Sequence, residues 1–434
     1  MSVLQDLTPQ DHGVLRFLTC GSVDDGKSTL IGRLLYDTKA VLADALHAIE
    51  RTSRKRGLAE VDLSLLTDGL QAEREQGITI DVAYRYFSTG TRNFIIGDAP
   101  GHEQYTRNMV TAASTADLAI ILVDARKGVL TQTRRHSYIA HLLGIRYLVV
   151  AVNKMDLVGY DQSVFAQIEA DYLDFAARLG IGDVRFIPLS ALTGEMVVER
   201  GEQLSWYQGP TLIEILENAP AAHTERAEPF RFPVQYVCRP RASADPELHD
   251  YRGFMGRVES GEIAVGDTVT VLPSGRQSRV RAIQVGGVDR PLAIHEESVT
   301  LLLADEIDCS RGDMIVKADE APSPVREIDA FLCWLSETPL SPARTYLLRH
   351  TTREVKAKVA RIDYRLDLNT LEQGTATTLD MNDIARLRLK LAAPIFPDLY
   401  ADNRATGAFI LIDESTNNTI GAGMIGSPYR ENLS

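Results

Sequence analysis

Gly21, Gly26, Lys27 and Ser28 have the spacing of a loop that wraps phosphate groups. Glycines let backbone N–H groups converge on an anion, and a following helix would point the positive end of its dipole at the same anion. In such a loop the lysine amine bridges the β- and γ-phosphates, and the serine hydroxyl coordinates Mg²⁺. The pattern predicts a nucleoside triphosphate site formed by Gly21, Ser22, Val23, Asp24, Asp25, Gly26, Lys27, Ser28 and Thr29.

The string NKMD, which ends at Asp156, is predicted to recognise the base. A carboxylate there can accept hydrogen bonds from N1–H and the exocyclic amine of guanine, whereas adenine has an acceptor at N1 and no amine at C2. We therefore expect Asp156 to select guanine, Asn153 to support the loop and contact the base, and Lys154 to lay its stem over the base plane. The tripeptide Ser190-Ala191-Leu192 would add its central N–H as a donor to guanine O6.

A γ-phosphate sensor is predicted in the string DAPGH, which begins at Asp98. Asp98 would hold Mg²⁺ through a water molecule, and Gly101 can turn its N–H to the γ-phosphate because it has no side chain. His102 directly follows this sensor and can reach the attacking water. We therefore expect His102 to be catalytic, together with Lys27.

Thr79 lies in the string EREQGITI, and its hydroxyl suits Mg²⁺. The long polar stretch before it has the composition of a loop that orders when a triphosphate binds. A surface helix and loop with no switching role fits the same composition, so the residues leave both interpretations open. Thr79 is a predicted catalytic residue and, with Ser28 and the water-linked Asp98, a predicted metal ligand.

The elements that must position these residues alternate in type up to about residue 217. Short apolar runs rich in β-branched residues are followed by loops and helical patterns, which predicts a mostly parallel, doubly wound α/β sheet with helices on both faces. Ligands of this architecture bind beyond the carboxyl ends of the strands. The candidate strands are VLRFLTC, DVAYRYFS, NFIIGDAP, DLAIILVDA, RYLVVAVNKMD and VRFIPLS.

Beyond this region the helical period disappears, and Pro229 and Pro233 are predicted to lie in a linker. Turns at Ser260-Gly261 and Gly266-Asp267 separate short strands, a pattern typical of a small β-barrel. A second composition break near KADEAPSPVREIDA precedes another β-rich segment. We predict three domains: a GTP-binding domain at 1–225, a first β-barrel at 226–322 and a second β-barrel at 323–434.

The composition indicates a globular protein of several domains, with 434 residues, 44% of them hydrophobic and 24% charged. Its net charge of -13 disfavours nucleic acid as the main partner. The one basic run, RTSRKR at 51–56, is interpreted as a solvated face. The longest apolar runs, such as LAIILV, are too short to span a membrane.

Cysteine usage and the N-terminus both favour a cytoplasmic protein. The N-terminal residues lack a basic start and an apolar stretch, so export is not expected. The four cysteines lie far apart without a C-x-x-C pair, which predicts reduced, buried thiols rather than disulfides or a zinc site. They are Cys20, Cys238, Cys309 and Cys333.

Taken together, GSVDDGKS, GITI, DAPGH and NKMD resemble the motifs of the translational-factor class of GTPases, and the resemblance extends through both barrels. Elongation factor Tu would have His-Gly-Lys-Thr in the loop, where this chain has Asp25-Gly26-Lys27-Ser28. Longer blocks, among them FLTCGSVDDGKSTLIGRLLYD, instead closely resemble the large, GTP-hydrolysing subunits of bacterial sulfate adenylyltransferases.

This resemblance implies GTP or GDP and Mg²⁺ as ligands, and a small catalytic subunit as partner in a heterodimer or higher hetero-oligomer. That small subunit forms adenosine 5'-phosphosulfate and pyrophosphate from ATP and sulfate, and the large subunit couples GTP hydrolysis to this reaction. Some relatives carry a fused adenylylsulfate kinase, which would need a second phosphate loop; this chain has one such pattern.

Two alternatives are weighed against this interpretation. A factor that acts with aminoacyl-tRNA and the ribosome is disfavoured by the acidic net charge and by the residues that this chain has in its motifs. A scaffold that binds GTP without hydrolysing it is weakened by the complete set of candidate residues, namely Lys27, Ser28, Thr79, Asp98 and His102. The sequence leaves open the docking surface, the stoichiometry, the order of the two reactions and the resting nucleotide state.

Overall fold

The chain forms two compact units, Met1–Ala221 and Ala222–Ser434. The structure, a computed structural model, describes most residues of both units with their side chains. The described residues are 13–41, 43–55, 61–66, 82–100, 105–220, 228–240, 251–367, 370 and 372–426. Within these ranges, no helix is long and apolar enough to cross a membrane.

The first unit is built on a six-stranded sheet, which confirms the predicted α/β fold. Its strands are β1 (Val14–Cys20), β2 (Ala83–Ser88), β3 (Asn93–Asp98), β4 (Leu118–Asp124), β5 (Tyr147–Asn153) and β6 (Val184–Pro188). The spatial order is β2-β3-β1-β4-β5-β6, and every neighbouring pair is parallel except β2 and β3. All seven residues of β4 are buried, as expected for a central strand covered on both faces.

Helices cover this sheet and carry residues of the candidate site. They are α1 (Lys27–Asp37), α2 (Ala43–Lys55), α3 (Thr106–Ala113), α4 (Thr131–Leu142), α5 (Gln162–Arg178) and α6 (Leu212–Asn218), with 3-10 helices at Leu63–Leu66 and Met155–Val158. Side chains cap two of them: the Asp161 carboxylate accepts from Ser163 N–H at 2.8 Å, and Thr211 and Glu214 form a reciprocal capping box. In the basic run at 51–56, Arg51, Thr52 and Arg54 are exposed on α2 and Ser53 is buried, while Arg56 lies outside the described residues.

The second unit begins with a closed antiparallel barrel. Its strands are β7 (Arg231–Cys238), β8 (Gly253–Arg257), β9 (Glu262–Ala264), β10 (Thr268–Leu272), β11 (Arg276–Val285), β12 (Val288–Arg290), β13 (Leu292–Ile294), β14 (Ser298–Leu303) and β15 (Met314–Lys317). Six of them follow one another as β10-β15-β7-β8-β14-β11, and pairing of β11 with β10 closes the ring. Closure removes the exposed strand edges that an open sheet would leave.

A second barrel follows in the same unit. It contains β16 (Val325–Trp334), β17 (Thr345–His350), β18 (Arg353–Leu366), β19 (Gln373–Gly374), β20 (Ile384–Ile395), β21 (Ala408–Ile412), β22 (Thr419–Ile425) and the short helix α7 (Arg404–Gly407). The ring β17-β21-β22-β16-β20-β18 closes through β17 and β18. Trp334 and Tyr346 pack edge to face inside it, with ring centroids 5.8 Å apart.

Two expectations need correction. Pro233 lies inside β7 and pairs in register with Met314, so it is not in a linker. A strand tolerates proline next to an irregularity, and the register of β7 shifts between Val234 and Tyr236. All four cysteines are free, as predicted, but Cys238 is only half-buried whereas the other three are buried.

Candidate nucleotide-binding site

The phosphate loop connects β1, which ends at Cys20, to α1, which begins at Lys27. Gly26 caps the helix with a left-handed φ of 93°. A side chain there would also place its Cβ 2.5 Å from the Asn153 amide nitrogen, so both conformation and space require glycine. Lys27 is buried, and Asp24 is exposed with a φ of 69°. The strand, loop and helix context expected for a phosphate loop is therefore present.

Asp25 stabilises the loop from within. Its Oδ2 accepts a hydrogen bond from Ser22 N–H at 2.6 Å, and its own N–H donates to Ser22 O at 3.2 Å. The side chain is almost fully buried, and this burial raises the pKa of the carboxyl group. Asp25 thus shapes the loop rather than standing ready to contact a phosphate.

Asn153 joins the three predicted motifs. Its Nδ2 donates to Asp25 O at 2.8 Å, and its Oδ1 accepts from Ala191 N–H at 2.9 Å. The phosphate loop, the NKMD motif and the Ser190-Ala191-Leu192 tripeptide are therefore held together by one buried side chain. Because the Ala191 N–H already has a partner, its predicted contact with guanine O6 would require a shared, three-centre hydrogen bond.

Asp156 lies in the 3-10 helix that follows β5. One of its carboxylate oxygens, Oδ1, accepts from Ser190 Oγ at 2.7 Å. Within the described ranges, no group donates to the other oxygen. Ser190 thus orients the carboxylate expected to read the base.

Lys154 is held at both ends. Its backbone takes a left-handed φ of 64°. Its amine donates to the backbone oxygen of Asp24 and lies 3.1 Å from Asp124 Oδ2. The lysine side chain is consequently tied to the phosphate loop and to the end of β4.

The sequence interpretation missed two residues at this site, Arg33 and Asp124. Arg33, on α1, donates through Nε to Ala191 O at 3.2 Å and through Nη2 to Leu192 O. These two hydrogen bonds hold the backbone of the Ser190-Ala191-Leu192 tripeptide in place. Asp124, the last residue of β4, has a fully buried carboxylate. Arg33 had no local signal because its partners lie 158 and 159 residues away. Asp124 could have been noticed as another acid at a strand end.

Arg126 and Lys154 determine the protonation state of Asp124. Burial would raise the pKa of its carboxyl group, but hydrogen bonds from Arg126 and Lys154 outweigh this and hold the pKa well below its usual range. Arg126 Nε and Nη2 lie 3.0 Å and 2.6 Å from the two carboxylate oxygens. Asp124 is therefore ionised and paired at neutral pH.

The γ-phosphate side of the site is described only in part. Asp98, the last residue of β3, pairs in register with Thr19 of β1, two residues before Gly21, where the phosphate loop begins. Thr79, Gly101 and His102 lie outside the described residues. In the described ranges, no cluster of three or more His, Cys, Asp or Glu side chains could hold a metal ion.

A separate cavity of about 520 Å³ lies in the second unit. It is bordered by Pro233, Gln235, Met255 and Arg257 of the first barrel and by Thr351 and Thr352 of the second. None of the residues predicted to bind nucleotide lines it. The described candidate residues are instead gathered at the carboxyl ends of β1, β3, β5 and β6.

Comparison with known proteins agrees with this geometry. The family model "Elongation factor Tu GTP binding domain" matches residues 12–221, and "GTP-eEF1A C-terminal domain-like" matches residues 327–426. The chain is 55% identical to sulfate adenylyltransferase subunit 1 of Cellvibrio japonicus (strain Ueda107), over 95% of this chain and 86% of that protein. It is 54% identical to the protein of that name from Alteromonas mediterranea, with the same coverage.

A third relative, sulfate adenylyltransferase subunit 1 of Laribacter hongkongensis (strain HLHK9), is 55% identical over 95% of this chain and 85% of its own length. Identity at this level, over most of each chain, shows that these proteins and this chain belong to one family. With its GTP-binding domain and its identity of 54–55% to these relatives, the chain belongs to the family of sulfate adenylyltransferase subunit 1.

Proposed function

We propose that this chain is the GTP-hydrolysing subunit of a sulfate adenylyltransferase. In this role it couples hydrolysis of GTP to the formation of adenosine 5'-phosphosulfate and pyrophosphate from ATP and sulfate on a small partner subunit. The observation that carries the proposal is the identity of about half the residues, over 95% of the chain, with proteins named as subunit 1 of that enzyme. The name of these relatives also supports the existence of a second subunit.

The guanine nucleotide is bound in two halves. Backbone N–H groups of the phosphate loop would surround the phosphates, except those of Ser22 and Asp25, which bond within the loop, and Lys27 at the start of α1 would supply a positive charge. Asp156, oriented by Ser190, accepts from the base, and the stem of Lys154 covers one base face. Leu192, more than half exposed, is available as an apolar contact to the other face.

The residues expected at the metal position fit Mg²⁺. Ser28 provides a hydroxyl oxygen and Asp98 a carboxylate at the end of β3, and hard oxygen donors with retained waters are the environment that Mg²⁺ prefers. When bound, the ion neutralises charge that develops on the β- and γ-phosphates. We place the hydroxyl of Thr79 as the second direct oxygen ligand, beside that of Ser28, with Asp98 acting through a water molecule.

Hydrolysis depends in this proposal on His102, which orients the attacking water or accepts its proton. Gly101 would donate its N–H to the γ-phosphate. Phosphoryl transfer is governed mainly by positioning and charge stabilisation, so the chain alone can be slow until a partner orders the site. His102→Ala should therefore keep GTP affinity and lose most of the stimulated hydrolysis.

The remaining assignments concern the whole chain. We place the GTP-binding domain at 1–225 and the two barrel domains at 226–322 and 323–434, and we place the protein in the cytoplasm. Three free buried thiols support a reducing compartment. The acidic net charge of -13 supports a protein partner rather than nucleic acid.

The test is to measure phosphate release from GTP by the purified chain, first alone and then with the small subunit, ATP and sulfate, while following pyrophosphate. The proposal predicts that both products rise together only in the complete mixture, and that His102→Ala removes both increases. GTP turnover that ignores the small subunit and responds to ribosomes with aminoacyl-tRNA would replace the proposal by a translational role.

A further inference from the structure

Asp124 lies beside the base-reading motif although it is not part of it. β4 and β5 run parallel with Asp124 opposite Asn153, so the two strand ends are neighbours. The Asp124 carboxylate is fully buried, and nothing in the mechanism proposed above uses it. A buried acid at this position therefore needs a role of its own.

Two cations share this carboxylate. Arg126 binds it in a fork, with Nε at 3.0 Å from Oδ1 and Nη2 at 2.6 Å from Oδ2, and the Arg126 N–H also donates to Oδ1 at 3.0 Å. Lys154 Nζ lies 3.1 Å from Oδ2. Both cations pair with the Asp124 carboxylate. Their charges and hydrogen bonds stabilise its ionised form although it is buried.

The contact with Lys154 fixes a flexible side chain. The lysine side chain has four rotatable bonds and loses considerable rotamer freedom when its amine is held. Here the amine is held between Asp124 and the Asp24 backbone oxygen, while the left-handed backbone of Lys154 fixes the other end. The Lys154 stem is thus held in place between these two points.

We propose that Asp124 is a positioning residue for the nucleotide base, because it holds the Lys154 amine against the phosphate loop and so preorganises the lysine stem as a platform for a purine ring. The inference rests on the proposed function, since it requires a guanine nucleotide at this site. A stem packs against the face of any purine, whereas Asp156 reads the edge. Asp124 accordingly sets affinity without setting which purine is bound.

The test compares Asp124→Asn with the wild-type chain for three nucleotides. The variant keeps the size of the side chain but removes its charge. Affinity for GTP, GDP and ITP should fall by the same factor, about tenfold, because one charge-assisted hydrogen bond is lost. The matched control is Arg126→Gln, which removes the other cation from the same carboxylate and should change these affinities by less than about threefold.

A double-mutant cycle with Lys154→Met separates positioning from general support of the fold, because methionine keeps an apolar stem without the amine. If Asp124 acts through that amine, Asp124→Asn should cost no more than about twofold in the Lys154→Met chain. Lys154→Met alone should reproduce the tenfold loss, which keeps the test decisive if Asp124→Asn does not fold.

Three results would overturn the inference: independent, multiplying losses in the cycle, a loss confined to one of the three nucleotides, or a lower melting temperature with unchanged affinity. Failure of the proposed function is a different result. In that case the wild-type chain itself would show no preference for GTP over ATP, whatever the Asp124 variants do.

Discussion

At the scale of single residues, Asn153 explains why motifs far apart in the chain form one site. Its amide contacts the phosphate loop on one side and Ala191 on the other, 128 and 38 residues away. Spacing between motifs predicted that such a site exists, because each motif follows a strand of a parallel sheet. The hydrogen bonds that lock the motifs together have no pattern in the sequence, since any polar side chain at a strand end could have made them.

Asp156→Asn tests the assignment of the base-reading residue. An amide can donate to the C2 carbonyl of xanthine, which a carboxylate cannot, so the variant should bind GTP more weakly and XTP more tightly. We expect the ratio of the two affinities to change by at least about a hundredfold, since a mispaired buried polar group disfavours the wrong base. Competition binding with a fluorescent guanine nucleotide measures it. An unchanged ratio would mean that Asp156 does not contact the base.

At the scale of elements, the strands of the first unit were predictable and their connections were not. Each of the six predicted runs contains an observed strand, because buried parallel strands are nearly continuous apolar runs and the half-exposed β2 alternates apolar with polar residues. The antiparallel direction of β2 and the closing pairs of both barrels depend on contacts between distant residues. The prediction of a linker at Pro233 was wrong because a proline that a strand accommodates beside an irregular register has the same sequence signal as a linker proline.

Helix α4 carries a buried histidine that ties the stability of the first unit to pH. Burial, followed by the positive charges of Lys27 and Arg135, lowers the pKa of His136 to about 3. In the unfolded chain the pKa is higher, near the ordinary value of about 6.5, so the unfolded state binds the proton first as the pH falls. The stabilisation is complete above about pH 6.5 and is lost progressively toward pH 3.

His136→Gln should therefore flatten the pH dependence of unfolding. Between pH 7 and pH 5 the wild-type chain should lose about 2 kcal/mol through this residue, a contribution that the variant lacks. Trp206 fluorescence in a Trp334→Phe background reports unfolding of the first unit. Identical slopes in the two chains would show that His136 is not the group responsible. Part of the slope should remain in the variant, since burial also lowers the pKa of His141 to about 4.

At the scale of the whole molecule, the second unit is two closed barrels joined by a buried ion pair. Arg231, at the start of β7, is 3% exposed and binds both oxygens of Asp398, with Nε and Nη2 at 2.9 Å and 2.8 Å. The amide of Asn403 adds a hydrogen bond to Ser260 Oγ at 2.9 Å. Contacts of this kind bring residues 167 and 143 positions apart together, so no local pattern could have revealed them.

Removing one partner of this pair should be costly. Asp398→Ala leaves a buried guanidinium without its counter-ion, and we expect a loss of about 3 kcal/mol in the free energy of unfolding of the second unit. Urea unfolding followed by Trp334 fluorescence in a Trp206→Phe background measures it. Asp398→Asn, which keeps the side-chain volume, is the matched control and should lose less. A loss below about 1 kcal/mol for Asp398→Ala would mean that this ion pair contributes no more to the free energy of unfolding than a surface salt bridge does.

We propose that hydrolysis of a nucleotide selected by Asp156 drives adenylyl transfer on the partner subunit. The most direct measurement is pyrophosphate release from ATP and sulfate by the complete complex, assembled with either the wild-type or the Asp156→Asn chain, in the presence of GTP or XTP. We expect GTP to stimulate the wild-type complex and XTP to stimulate the variant complex. Pyrophosphate release that follows GTP in both complexes, or that ignores the added nucleotide in both, would contradict this proposal.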